Sequence, residues 1–267
     1  MRPFRILTIG ILALTTLAAL VAGTGAPAKA ASTVNYVALG DSYASGVGAG
    51  DYYSSSGSCD RSPNAYPALW AAANSPASFT FAACSGATTT DVVNSQLSAL
   101  STSTTLVSVT IGGNDAGFSS IMETCVLEST SSCLSAVSQG EAFVQNQLPA
   151  LLNTMLADIR ADAPSARIVL VGYPEFYDLS VPICIGLSSA DHTAIDQGAD
   201  DLDNALANAA AQNGDVFADV RSQFAGHELC DGAGWLNSVD ILDIDSSYHP
   251  TATGQEDGYL PVFTAAA

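Results

Sequence analysis

Ser42 stands where an apolar, β-branched and aromatic run, Asn35 to Gly40, breaks into Gly40, Asp41 and Ser42. A chain that leaves a buried strand through glycine and presents a hydroxyl at the turn holds that oxygen over the sheet edge, where a nucleophile would work. A serine hydroxyl attacks poorly until a base takes its proton, and histidine suits that task near neutral pH. The chain has three histidines. His192 lies inside a predicted helix and reads as part of its solvated face, and His227, in the loop 226–230, reads as a loop-fixing residue. His249 differs, because Pro250 fits the first position of a helix continued by 251–259, and this holds the imidazole on the turn leading in.

Attack by a hydroxyl on a carbonyl leaves negative charge on oxygen, which backbone N–H groups and a neutral amide can hold without burying a cation. The N–H of Ser42, the N–H of Gly86 and the side chain of Asn114 fit that need, one from each of the polar turns 40–42, 84–86 and 112–115. Taken singly, Gly86 and Asn114 read equally well as ordinary turn residues. Asp41 and Asp115 are expected to cap and fix turns rather than to transfer protons.

The elements that must bring these groups together are short continuous apolar runs at 35–40, 78–82, 106–111, 167–173 and 215–220, separated by segments of helical spacing. Phe143, Leu148, Leu152, Met155 and Ile159 place one apolar face on a helix over about 135–161 despite Pro149, and Ile195, Leu202 and Leu206 do so over about 190–212. Such alternation predicts an α/β chain with a parallel sheet covered on both faces, and ligands in such sheets sit at the carboxyl ends of the strands. All three polar turns fall at that edge.

Residues 1–30 read as an export signal, with Arg2 and Arg5 ahead of an apolar stretch and Ala28, Lys29 and Ala30 as a cleavage site. Removing them leaves one domain, 31–267, of about 237 residues, in which four basic residues face 26 acidic ones for a formal charge of −22. That surface repels phosphate backbones and anionic bilayers, so nucleic acid is excluded as a partner and neutral or zwitterionic substrates are favoured. Six cysteines in an exported chain read as disulfides, and Cys125 with Cys133 is the easiest pair to join because the intervening residues close a compact loop. With no Cys-x-x-Cys spacing and no clustered histidine, no metal is expected.

The residues spell a known pattern. Gly40-Asp41-Ser42, Gly86, Gly113-Asn114-Asp115 and His249 occur in the order and at the wide spacing of the SGNH hydrolases, the GDSL esterases and lipases, and the chain resembles that superfamily from about Asn35 to Tyr259. Within it, the chain is most similar to secreted streptomycete lipases, esterases and phospholipases A1. The resemblance implies a three-layer α/β/α sandwich with a central parallel five-stranded sheet, the flavodoxin-like form. It also implies the disulfides Cys59–Cys84, Cys125–Cys133 and Cys184–Cys230. Separately, the export signal predicts a secreted chain with no stable membrane anchor, and a monomer without cofactor is expected. The expected chemistry is ester hydrolysis through an acyl-enzyme at Ser42, with His249 as base and Ser42, Gly86 and Asn114 as the oxyanion hole.

The chain departs from the pattern at one place. Many members of the superfamily carry Asp three residues before the histidine, where this chain has Ser246; Asp243 and Asp245 are out of that register. A main-chain carbonyl, of Ser246 or Ser247, is expected to take the Nδ1 proton instead, which still fixes the tautomer. Trp235, Leu236, Ile183, Ile185 and Leu187 are candidates to line an acyl pocket or, equally, to pack the core. A carbohydrate acetylesterase and a non-catalytic binding module of the same fold are the competing readings.

Overall fold

The computed structural model describes residue 1 and residues 32–181, 184, 186–240 and 244–267. The export-signal reading therefore lies outside the described residues, as do Ile183, Ile185 and Asp243.

The strands β1 (Asn35–Gly40), β2 (Ser78–Phe81), β3 (Leu106–Thr110), β4 (Arg167–Val171) and β5 (Val216–Ala218) form one parallel sheet in the order β2-β1-β3-β4-β5. Tyr36 pairs with Phe79 on one side and with Leu106 on the other. Five parallel strands agree with the sequence reading; β1 ends at its expected limit, and the other four end one or two residues inside theirs. The central strands are apolar along their length because helices cover both faces; Val107, Val169, Leu170 and Val171 are fully buried.

The helices are α1 (Ser42–Ser45), α2 (Tyr66–Asn74), α3 (Thr89–Asp91), α4 (Phe118–Leu127), α5 (Thr130–Asn146), α6 (Leu148–Asp162), α7 (Ser189–Asn213), α8 (Arg221–Phe224) and α9 (Leu260–Ala266). Helices α2 and α9 pack together through aromatic rings: Trp70 and Phe263 lie 5.2 and 5.6 Å from the ring of Tyr36 on β1. A second set, α4 to α7, packs around α5. The longest helix, α7, starts at a capping box of Ser188 and Asp191 and stops at Gly214, which takes the left-handed conformation at φ 71°.

Two expectations need correction. The single helix over 135–161 is two helices, broken at Gln147, because Pro149 has no N–H to give and its ring blocks the carbonyl four residues back; it sits instead in the first turn of α6. Pro250 does not open a helix. The helical turns start at Ala252, and Thr251 caps them by accepting from the N–H of Gly254 at 3.1 Å.

Cys59 is joined to Cys84, Cys125 to Cys133 and Cys184 to Cys230. The first pins the turn after β2, and the second closes the connection between α4 and α5.

Candidate active site

The exit from β1 is shaped by what glycine lacks. Gly40 has φ +125°, and a Cβ there would lie 2.4 Å from the carbonyl oxygen of Thr110 on the neighbouring strand. Without that atom the chain crosses close over β3, and the N–H of Asp41 donates to Thr110 O at 2.9 Å. Buried Gln96 clamps both polar groups of Gly40, accepting from its N–H and donating to its carbonyl, each at 2.8 Å. Asp41 then caps the one-turn helix α1 by accepting from the Tyr43 N–H at 2.9 Å, and Ser42 opens that helix with 8% of its surface exposed.

His249 Nε2 lies 2.7 Å from Ser42 Oγ, although 207 positions separate them. Its Nδ1 is 3.1 Å from the carbonyl oxygen of Ser247. A carbonyl only accepts, so Nδ1 carries the hydrogen and Nε2 turns a lone pair toward the serine hydroxyl. The ring lies 4.9 Å from that of Tyr43, whose hydroxyl donates to the carbonyl of Tyr248 at 2.7 Å. Of the two carbonyls expected from sequence, Ser247 is the one facing Nδ1. Asp245 is exposed.

The three turns are tied to one another. The N–H of Cys84 donates to Gly40 O at 3.0 Å, and Asn114 Nδ2 donates to Ala87 O at 3.0 Å, leaving its second hydrogen for another acceptor. The Gly113 N–H donates to the Tyr173 hydroxyl at 3.2 Å, and that hydroxyl donates in turn to Asp41 Oδ2. Among the described residues no backbone carbonyl accepts from the N–H of Ser42 or of Gly86.

Asp41 is almost fully buried, and loss of hydration raises its carboxyl from 3.8 to about 7 against the lowering effect of the Tyr173 hydrogen bond. Asp115 accepts from the hydroxyl of Thr89 at 2.6 Å and from its N–H at 3.0 Å, fastening α3 to the third turn; partial burial raises its pKa as well. Both carboxylates fix turns, in line with the sequence reading.

The other histidines lie elsewhere. His227 stacks on Trp235 at 3.7 Å and meets Ala233 O through Nδ1 at 3.2 Å. His192 is not on a solvated face: the 173–181 loop folds over the start of α7, Tyr177 stacks on its ring at 4.0 Å, and desolvation lowers its pKa.

Ser42 and Asn114 open onto one narrow crevice with an accessible volume of about 70 Å3. Its walls are Phe118, Ile121 and Met122 of α4, Val137 and Val144 of α5, and Ile195 and Leu202 of α7, with Tyr173 and Phe176 at the sheet edge. Glu141 borders it, partly buried, with its pKa raised by desolvation and by Asp201. Of the acyl-pocket candidates from sequence, the described ones are not in these walls: Trp235 packs on His227 and Phe224, Leu236 belongs to the core and Leu187 is partly buried against it. The residues that do form the walls have the helical spacing of any core-facing side chain, so sequence offered only the interior glycines Gly140 and Gly198 as a signal.

Residues 38–256 match the model of the GDSL-like lipase/acylhydrolase family. The chain belongs to that family. Membership makes it an ester hydrolase, and its curated relatives carry that name further: Lipase 1 of Streptomyces coelicolor is 54% identical over the full length of both chains. Among solved structures, phospholipase A1 from Streptomyces albidoflavus is 54% identical with a TM-score of 0.86, covering 88% of this chain and 99% of that one. The extracellular lipase of Streptomyces rimosus is 52% identical with the same TM-score, covering 88% and 100%.

Proposed function

We propose that this chain is a secreted lipid-ester hydrolase in which Ser42 is the nucleophile, His249 the general base and acid, and the N–H groups of Ser42 and Gly86 with the Asn114 amide the oxyanion hole. The observation that carries the reading is the 2.7 Å contact of Ser42 Oγ with His249 Nε2 beside an apolar crevice. His249 takes the hydroxyl proton as Oγ attacks the ester carbonyl. The tetrahedral oxyanion is held by the three donors, the alcohol leaves with the proton returned from Nε2, and water repeats the sequence to release the acid. Ser247 O keeps the imidazole in the needed tautomer throughout.

Export rests on the reading of residues 1–30, with 31–267 as the hydrolase domain, and is supported by the extracellular lipase of S. rimosus, 52% identical. Among the described residues no helix is long and apolar enough to cross a membrane. Phospholipase A1 activity is a second reading, favoured by the 54% identity to the S. albidoflavus enzyme. A carbohydrate acetylesterase would act through the same residues, and the apolar walls of the crevice favour a lipid acyl group over a polysaccharide.

A serine-directed phosphonate should label Ser42 in the intact protein and not in Ser42→Ala. Rates on p-nitrophenyl esters of two to sixteen carbons, on phosphatidylcholine and on acetylated xylan assign the substrate class. Absence of both labelling and turnover would return the chain to a binding role.

A further inference from the structure

The carbonyl of Tyr43, the residue after Ser42, has no partner within its own one-turn helix. The N–H groups of Gly46 and Val47 both donate to Ser42 O at 3.0 Å, and that of Gly48 donates to the Tyr52 hydroxyl at 2.9 Å. The N–H of Tyr66, at the start of α2, is likewise unmatched from its own side, because the preceding Ala65 offers no side-chain cap. One amide serves both. Gln255 Nε2 donates to Tyr43 O at 3.0 Å, its Oε1 accepts from the Tyr66 N–H at 2.9 Å, and the residue is fully buried. Gln255 lies beyond His249 in the chain, in a π-helical turn over Gly254–Tyr259, and Gln96, which clamps Gly40, ends another such turn at Val92–Gln96. Turns of this width are rare and gather at functional sites. Tyr43 is thus tied on both sides of the imidazole: its hydroxyl donates to Tyr248 O, just before His249, and its carbonyl accepts from Gln255, after it.

We propose that Gln255 is a positioning residue that sets the alignment of Ser42 Oγ with His249 Nε2, by locking the turn that carries the hydroxyl to the segment that carries the imidazole. The assignment rests on the ester-hydrolase reading of that pair and adds what holds the two in register. Without the amide, Tyr43 keeps its hydroxyl bond to Tyr248, but its backbone, which continues directly from Ser42, is released. A shift of about an ångström between reacting groups costs on the order of 10² in rate. Gln255 is buried outside the walls of the crevice, so its loss acts on the reacting pair and not on the bound ester.

Gln255→Met keeps the length of the side chain and removes both hydrogen bonds. On a four-carbon p-nitrophenyl ester its kcat should fall at least about tenfold, with KM within about twofold of wild type. A serine-directed phosphonate should label the same fraction of chains as in wild type, at a rate lowered in proportion to kcat; a purely structural role would lower the labelled fraction and leave the rate alone. Gln255→Glu supplies a second readout. Protonated, its carboxyl accepts from the Tyr66 N–H and donates to Tyr43 O as the amide does; ionised, it cannot donate, and burial places that ionisation above the ordinary carboxyl range. Tyr43, Tyr66 and Tyr259 around it stay neutral, because burial holds their hydroxyls above the usual phenol range. Every other titratable group, Asp41 and His249 included, is common to both proteins and drops out of their ratio. The kcat of Gln255→Glu relative to wild type should therefore fall at least about fivefold between about pH 6 and about pH 9, with the labelled fraction constant. Unchanged kcat in Gln255→Met, or a loss carried by the labelled fraction alone, overturns the proposal. If that variant fails to fold, the glutamate variant decides, and a ratio that stays flat over the same pH range overturns it. Four-carbon hydrolysis surviving in Ser42→Ala would instead overturn the reading on which it rests.

Discussion

The hydroxyl of Tyr173, two residues past the end of β4, donates to the buried carboxylate of Asp41, one residue ahead of Ser42. Because the same hydroxyl accepts from the Gly113 N–H, it joins the turn that presents Ser42 to the turn that presents Asn114. Tyr173→Phe should lower kcat about tenfold, from the loss of a hydrogen bond to a charged group, with KM nearly unchanged. If Tyr173 acts by placing Asn114, the loss should shrink when both changes are combined in a double-mutant cycle, and simple additivity would show a general effect on folding.

Asp41 also gives the protein a pH signature. With its carboxyl raised from 3.8 to about 7, the folded chain holds a proton there that the unfolded chain has released between those values. The stabilisation linked to this group is full below about pH 4 and is lost as pH rises to about 7, on the order of 4 kcal/mol in all. Asp196, also raised to about 7 by burial, acts in the same direction. Asp41→Asn should therefore flatten, without abolishing, the fall in Tm between pH 4 and 7.

Asn114→Ala should fold normally and lose on the order of 10² to 10³ in turnover, the usual effect of removing one oxyanion donor. An unchanged rate with intact circular dichroism would remove Asn114 from the site.

His249→Ala should lose at least as much as Asn114→Ala, while Asp245→Ala should stay within about twofold of wild type because that carboxylate is exposed. Equal losses in the two variants would make Asp245 a third member of the catalytic set.

Replacing Cys125 and Cys133 by alanine opens a link that closes a loop of 8 positions between two walls of the crevice. Chain entropy puts the loss near 2.5 kcal/mol, to be read as a drop in midpoint under denaturant.

Much of the site was legible in sequence because its chemistry sits on turns that follow strands. Ser42, Asn114 and His249 are marked by polar residues at the end of apolar runs or by proline, and a parallel sheet gathers such turns at one edge. The crevice was not legible, because Ile121, Val137 and Ile195 follow the same helical period whether they face a core or a cavity. Nor was the Tyr173–Asp41 bond, which joins side chains 132 positions apart with no local signal. Pro149 was the opposite case: a local signal that the apolar period outweighed on paper and backbone chemistry enforced in the fold.

The serine and the imidazole come from strands of sequence so far apart that no piece of the protein holds both unless it spans positions 42 to 249. A proteolytic nick at a stretch no disulfide spans, such as 85–124 or 134–183, followed by separation of the halves, leaves two products of which neither holds both groups, whereas a nick inside a disulfide loop leaves the halves covalently joined.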